Sequence, residues 1–395
     1  MTSTRMKIIV AITARASYSR IQSALKFLQT CENVDLRILC SGSTLLDRYG
    51  RVIDLIRHDG FSVMEGMHTL VEGNDPICMA LTTGQTLQST AFLLQREQPD
   101  WVITIADRHE TMGTAIAASY LGIPLIHVQG GELTGNIDER VRHAISKLSD
   151  IHLVAHDKAA ARLEAMGETP ESIFVTGCPS IDLAREALEL PMDHVANAVS
   201  RQGIGAHLDI SGDYIVVLQH ADTTIYRSSY DHMVMTLTES RKLGLPMFVF
   251  QPNSDAGSDA TAKAIKDFTR TAGMENIRLI THLEGKAFLR LLSRTRCLVG
   301  NSSVGVRECA FLGTPVVNLG DRQTGRDRAP NVLDCHWSPQ TLAKALQQQI
   351  ISRFPSSTLY GDGHSGRTMA NVINALPSSS FQHQKQIRQP YVGHQ

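Results

Sequence analysis

PLIHVQGGELTGNIDERVRHAISKLSDIHLVAH (124–156) is the stretch on which the reading of the fold turns. PLIHVQ (124–129) and IHLVAH (151–156) are short apolar runs of strand length, and DERVRHAISKL between them has helical periodicity. Strand, helix and strand within some thirty residues spell a βαβ unit. Its two strands must run parallel, because the helix carries the chain back to the same end of the sheet.

The rhythm continues on both sides. Upstream lie KIIVAIT (7–13), VDLRILC (34–40) and DWVITIA (100–106), and downstream lies SIFVTG (172–177). After a polar region near 190–212 it restarts with YIVVLQH (214–220), PMFVFQP (246–252), IRLITH (277–282), RCLVGN (296–301) and PVVNLG (315–320). A chain of 395 residues exceeds what one hydrophobic core sustains. The fold class expected is therefore α/β, with two Rossmann-like doubly wound domains facing a cleft. The expected bounds are 1–190 for the N-terminal domain and 191–377 for the C-terminal one. The Ser-, Gln- and His-rich tail 378–395 reads as disordered.

Composition narrows the function classes. Lys plus Arg number 38 against 39 Asp plus Glu, so no global field recruits nucleic acid or an anionic membrane. The seven cysteines are scattered without a C-x-x-C pair, which disfavours both a disulfide framework and a zinc cluster. A reducing cytoplasm fits best. The N-terminus lacks a signal-peptide pattern and no apolar run approaches membrane-spanning length. The histidine spacings show no metal-site pattern, so no metal is expected.

Ligands of open α/β sheets bind beyond the carboxyl ends of the strands. The polar signals of this chain gather there: Arg15 after the first run, Asp107 after the third, Glu132 after the fourth, then His220, Asn253, His282 and Asn301-Ser302-Ser303. In 300-GNSSVGVRECAFLGTP-315 a helix is expected to start near Val304. Its free N–H groups, with the Ser302 and Ser303 hydroxyls, suit a phosphate or diphosphate, and Glu308 a ribose; an ordinary serine cap explains the same residues equally well. Arg322, Arg326 and Arg328 crowd the loop after PVVNLG, where guanidinium groups suit phosphate although flanking aspartates could neutralise them. TARASYSR (13–20) lacks the glycine pattern of a dinucleotide fingerprint and no G-x-x-x-x-G-K-[ST] occurs, so a dinucleotide or ATP site is disfavoured.

Three carboxylates remain. Asp107 and Asp138 each have an alternative role as a helix cap, whereas Glu132, after two glycines, has none. Carboxylates converging on a cleft, with a pKa raised by burial and mutual repulsion, suit proton abstraction or leaving-group protonation. His220 is placed to donate to a phosphate or act as general acid. His68, His127, His143 and His282 are as well explained by structural roles.

Eight ordered motifs between about residues 7 and 376 resemble the hydrolysing UDP-N-acetylglucosamine 2-epimerases. They are TARASYSR, DRHE (107–110), GGELTGNIDERVRHAISK (130–147), VVLQHADTT (216–224), QPNSDAGS (251–258), GNSSVGVRE (300–308), GTPVVNLGDRQTGRDRAPNVLD (313–334) and YGDGHSGR (360–367). The resemblance implies a GT-B-like architecture, no cofactor, a UDP-sugar substrate and a homodimer or homotetramer. It implies Asp107, Glu132, Asp138 and His220 as catalytic groups. Arg15, Ser19, Arg108, Asn253, His282, Ser302, Ser303, Glu308 and Arg322 become the substrate and UDP contacts. The implied reaction is C2 deprotonation and elimination to 2-acetamidoglucal and UDP, then hydration to N-acetylmannosamine, feeding sialic-acid-type sugar synthesis. The alternatives are a non-hydrolysing epimerase or the same chemistry on a related UDP-acetamido sugar. Two positions depart from the family: Ala106 where glycine usually precedes the catalytic Asp, and Ser17 where an acid usually follows Arg-Ala.

Overall fold

The computed structural model describes residues 5–73, 75–134, 137–222, 225–252, 255 and 257–377. Asn253 and the tail 378–395 lie outside the described residues.

Two sheets carry the chain. The first comprises β1 (Met6–Ile12), β2 (Val34–Cys40), β3 (Trp101–Ile105), β4 (Leu125–Val128), β5 (Ile151–Val154) and β6 (Ile173–Val175). They lie in the order β2-β1-β3-β4-β5-β6, every pair parallel. The second comprises β7 (Gly203–Gly205), β8 (Ile215–Leu218), β9 (Met247–Phe250), β10 (Ile277–Ile280), β11 (Cys297–Gly300), β12 (Val316–Leu319) and β13 (Val332–Cys335). Their order is β13-β12-β11-β8-β9-β10-β7, and only the edge strand β7 runs antiparallel.

All eleven apolar runs form strands, most of them trimmed at an end, while 34–40 pairs over its full length and the first strand begins one residue early at Met6. The run 124–129 pairs as Leu125–Val128 and the run 151–156 as Ile151–Val154, parallel through the helix Ile137–Leu148. β7 and β13 have no signal of their own in the sequence. Gly203-Ile204-Gly205 is held as a strand from a distance: Arg278 on β10 donates to the carbonyls of Gly205 (2.8 Å) and Ser200 (2.5 Å). The polar region near 190–212 is thus not a bare linker, since it contains the helix Met192–Gln202 as well as β7.

Helices cover both faces of each sheet, which is why the central strands are apolar throughout. Alternate residues of β1 divide between two cores: Ile8, Val10 and Ile12 pack on one face and Ile9 on the other. In β8, Val216 and Leu218 enter one core and Ile215 and Val217 another.

The chain ends by returning to the first sheet. Met369, Ala370 and Ile373 of the helix Ser365–Asn374 join the core around β1, and Trp101 Nε1 donates to Pro377 O at 2.9 Å. The Asp182 carboxylate accepts the N–H groups of Ser365 (2.8 Å) and Gly366 (2.6 Å), satisfying the start of that helix from another part of the chain. The G-x-G-x-x-G spelled by Gly361, Gly363 and Gly366 follows no strand. A Cβ at Gly366 would stand 2.7 Å from Ala24 N, so this glycine serves close packing rather than dinucleotide binding.

In the first sheet the connections diverge between the neighbours β1 and β3, and in the second between β8 and β11. The segments leaving these four strands, at Thr13, Ala106, Gln219 and Asn301, therefore frame a crevice.

Candidate active site

The crevice is a cleft of about 350 Å³ between the sheets. Arg15, Ser19, Asp107, Arg108 and Asp138 line it from the first, and His220, His282, Ser302, Ser303, Glu308 and Arg322 from the second. Glu132 lies deeper and is 2 % exposed, and Asn301, Arg326 and Arg328, also singled out in the sequence, are not on the lining.

Glu132 meets two guanidinium groups from the second sheet. Arg326 Nη1 donates to its Oε2, and Arg307 Nη1 stands 3.5 Å from its Oε1. Asp107 pairs with Arg142, with Arg326 at 3.8 Å and with Arg20 at 4.0 Å. Four guanidinium groups thus surround two carboxylates, with the Glu308 carboxylate acting on Arg20 and Arg307 from nearby, so positive charge remains in excess. Burial alone would raise the Glu132 carboxyl, but Arg307, Arg326 and Arg20 outweigh it and hold it below the usual carboxylate range. The expectation of a burial-raised carboxyl fails here for this reason: its neighbours are cations, not carboxylates. The excess of positive charge shows on Arg20, Arg142 and Arg326, whereas Glu132 raises Arg307 against the effect of burial. Burial, then Arg307 and Arg326, push Arg20 down to about 9, and Arg142 is lowered in the same way. An anion entering the cleft relieves that repulsion. Among the described residues, Arg307 Nε and Nη2, Arg326 Nε and Glu308 Oε2 are buried polar atoms with no hydrogen-bond partner.

Local structure explains the convergence. Asp107 caps nothing: the helix His109–Tyr120 has Arg108 at its N-cap, and Asp107 turns toward the arginines. Asp138 sits inside the first turn of the helix Ile137–Leu148, on the cleft. One turn on, Arg142 donates to Glu132 O at 2.8 Å. Glu139 accepts Thr134 N–H at 2.8 Å, the first-turn role its position suggests. The single helix expected after Asn301 is two short ones, Ser303–Val306 and Glu308–Leu312, broken at Arg307 (φ −97°, ψ −75°). The break lies at the residue whose guanidinium reaches back to Gln129 Oε1 (2.8 Å) and Glu132. Ser302 caps the first of these helices at 3.5 Å, so the capping and cleft-lining readings of this serine hold together. Ser303 Oγ accepts Arg20 Nη2 at 3.0 Å, and Ser19 Oγ donates to Ala16 O at 3.1 Å.

A second charged group closes the cleft's other side. Arg108 grips Glu110 through Nε (3.0 Å) and Nη2 (2.9 Å), and its Nη1 reaches Asp255 at 3.2 Å. Arg322 reaches the same carboxylate at 3.4 Å and donates to Asn301 O at 3.3 Å. Asp255 therefore joins the two sheets through one arginine from each, and these partners hold its carboxyl well below the usual range against the effect of burial. Arg108, implied by the resemblance as a substrate or UDP contact, is engaged with carboxylates. Arg15 donates to Gly50 O at 3.2 Å, and burial lowers it to about 10.

His220 is fixed at the divergence point: its N–H donates to Asn301 Oδ1 at 2.8 Å, and Asn301 Nδ2 returns to His220 O at 3.0 Å. Burial, then Arg322, push its imidazole down to about 3, so it is neutral and offers a hydrogen bond rather than an acidic imidazolium. Burial and Arg15 lower His282 to about 4. His127 is structural, bonded to Ala106 O (2.9 Å) and Ser146 Oγ (3.0 Å). Ala106 and Gln129, at the ends of β3 and β4, take left-handed backbone (φ 60° and 68°). Conformations unfavourable to side chains flank both buried carboxylates.

Sequence reasoning missed Arg307, Arg142 and Asp255, and gave Arg20 and Arg326 no carboxylate partner. The i, i+4 spacing of Asp138 and Arg142 was an available signal; Arg307 and Asp255 carried none. Among the described residues no group of three or more His, Cys, Asp or Glu is placed to hold a metal ion. No described helix is long and apolar enough to cross a membrane.

Comparison with known proteins places this geometry. The family model described as UDP-N-acetylglucosamine 2-epimerase matches residues 26–374. The chain is 31 % identical over 375 residues to a UDP-N,N'-diacetylbacillosamine 2-epimerase (hydrolyzing) of Legionella pneumophila, covering 95 % of this chain and 97 % of the relative. It is 25 % identical to a UDP-N-acetylglucosamine 2-epimerase of Neisseria meningitidis, covering 93 % and 95 %. Its fold matches a Methanocaldococcus jannaschii UDP-GlcNAc 2-epimerase solved with UDP-GlcNAc and UDP, at TM-score 0.80 and 17 % identity over 93 % of this chain and 99 % of that one.

Proposed function

This chain belongs to the UDP-N-acetylglucosamine 2-epimerase family, and from that premise we propose that it is a hydrolysing enzyme, converting UDP-N-acetylglucosamine and water to N-acetylmannosamine and UDP. The observation that carries the reading is the pair of carboxylates, Asp107 and Glu132, each ion-paired with guanidinium groups at the strand ends, with Glu132 held below the usual carboxylate range. Ionised carboxylates are bases, and a cationic wall stabilises a departing diphosphate.

In this mechanism a carboxylate removes the C2 proton. The electrons of that C–H bond form the C1=C2 double bond as the C1–O bond breaks and UDP leaves with its negative charge. Water then adds its oxygen to C1 and a proton returns to C2 on the opposite face, giving the free sugar. Asp107, which lines the cleft, is our candidate for the base. Glu132 tunes the arginines beside it, and Asp138, on the facing helix turn, returns the proton. Arg20 and Arg15 with the Ser302 and Ser303 hydroxyls meet the diphosphate, and neutral His220 donates one hydrogen bond to it. The product suits sialic-acid-type sugar synthesis.

A second reading keeps the chemistry and changes the sugar, since the Legionella relative is named for UDP-N,N'-diacetylbacillosamine. Incubating the protein with each sugar nucleotide in deuterated water, followed by NMR, separates the outcomes. Free N-acetylmannosamine deuterated at C2 plus UDP is the expected result. UDP-N-acetylmannosamine would mark a non-hydrolysing enzyme, and turnover of the diacetamido sugar alone would mark the second reading. Consumption of neither sugar nucleotide refutes the proposal.

A further inference from the structure

Beneath the cleft two loops meet in step, one following β4 and the other following β12. Arg326 Nη1 donates to Glu132 Oε2, and a Cβ on Gly325 would stand 3.1 Å from Leu133 Cβ. Gly131 and Asp327 are joined through a third residue. Arg162 Nη1 donates to Gly131 O at 3.3 Å, and its Nη2 donates to Asp327 Oδ2 at 2.9 Å. Gly131 with Asp327, Glu132 with Arg326 and Leu133 with Gly325 thus follow one another in antiparallel register, with the ion pair in the middle.

Both flanks of this register are built firmly. Arg162 lies on the helix Asp157–Ala165, which His156 caps by accepting Ala159 N–H at 3.2 Å, and whose Ala159 and Leu163 are buried with Val154. Gly131 rests on the same helix: its backbone is left-handed (φ 72°), and a Cβ there would collide with Ala159 O. Asp327 is held on the other side. Lys158 Nζ stands 3.2 Å from its Oδ1, and Tyr360 OH donates to Asp327 O at 2.7 Å. Asp327 lies between Arg326 and Arg328 in the chain, yet its carboxylate turns to the helix of the first sheet. A guanidinium fork holds two acceptors at a set separation, as a point charge does not. The Arg162 side chain is 26 % exposed and lies off the cleft lining.

From this double hold we infer that Arg162 is a positioning residue for the reaction proposed above, on which reading the inference rests: it clamps Gly131 to Asp327 and so keeps Arg326 on Glu132 and 3.8 Å from Asp107. Without the clamp the loop carrying Arg326 is free to shift, and the guanidinium moves away from both carboxylates. A displacement of about 1 Å in such a group costs up to about a hundredfold in rate. The groups assigned to the diphosphate, Arg15, Arg20, Ser302 and Ser303, lie on neither loop, so UDP binding is spared.

The test uses the full chain. Arg162→Ala removes both bonds and leaves a good helix former in place. It should lower kcat by about ten- to a hundredfold while KM and UDP affinity stay within about threefold. The acid limb of its kcat–pH profile should move to higher pH, because Asp107 and Glu132 lose a nearby cation. Asp327→Ala releases the same clamp from the other loop and answers the same questions if Arg162→Ala fails to fold. The double variant should turn over no more slowly than the slower single one, since both act on one contact. Hydrogen exchange read by mass spectrometry should quicken in peptides spanning 131–133 and 325–327 and stay unchanged in β1 and β8. That readout needs no turnover: a wild type that consumes no sugar nucleotide overturns the proposed function, and exchange alone then decides the clamp. Near-normal kcat, an unmoved acid limb, additive losses or unchanged exchange in the two loops overturns the inference.

Discussion

Replacing Arg307 by Gln isolates what the guanidinium cage does. Arg307 and Glu132 are 1 % and 2 % exposed, so solvent screens their attraction little. At 3.5 Å and an effective dielectric of about 20 the attraction is about 5 kcal/mol, and removing one partner of a buried pair costs about 3–5 kcal/mol. The cost depends on pH with a definite sign. In the wild type the Glu132 carboxyl is depressed, so its contribution is present above the unfolded carboxylate pKa and is lost as pH falls through the folded value. Without Arg307 the burial effect gains on Arg326 and Arg20, and the carboxyl rises. Glu132 can then escape the unpaired charge by taking a proton. The destabilisation should be about 3–5 kcal/mol near pH 8 and smaller by about 1–3 kcal/mol at pH 5. Urea unfolding of both proteins at the two pH values measures it, and effects common to both cancel in the difference. A destabilisation equal at pH 8 and pH 5 would refute the coupling of Arg307 to the Glu132 charge.

Other perturbations test separate features. Glu132→Gln keeps the shape but removes the charge, and should lower kcat by at least about a thousandfold while UDP affinity, read by calorimetry, changes less than about threefold; near-normal turnover sinks the role given to this carboxylate. Ala106→Gly frees the left-handed backbone before Asp107 and should raise stability by about 0.5–1 kcal/mol with turnover retained, whereas a lower Tm contradicts a strained alanine. His127, fully buried and pushed down to about 3 by burial, binds no proton in the folded state at pH 5 whereas the unfolded chain does. The folded pKa is lowered, so stability is lost as pH falls below about 6.5, by about 2 kcal/mol at pH 5 from this residue; a His127→Gln variant with an equally steep loss between pH 7 and 5 excludes it as a source.

Parallel strands buried on both faces must be apolar along their length, and so the eleven runs were legible one at a time. β7 was not, because Gly203-Ile204-Gly205 becomes a strand only when Arg278, more than seventy residues on, holds its carbonyls. The same division holds in the site. Asp107, Glu132, Asp138 and His220 were identifiable because each follows a strand or opens a helix, both of them local facts. Their electrostatic state was not, because it depends on which charges lie within a few ångströms.

The sequence by itself determined the alternation of strands and helices, the two-sheet class and the placing of polar residues beyond strand ends, since periodicity and turn chemistry act over a few residues. Only the tertiary structure decided that Glu132 meets Arg307 and Arg326 from the other sheet, that Asp107 pairs with Arg142 instead of capping a helix, and that His220 is neutral. Coulomb energies and desolvation depend on distance and burial, and no local pattern specifies contacts between residues nearly two hundred positions apart.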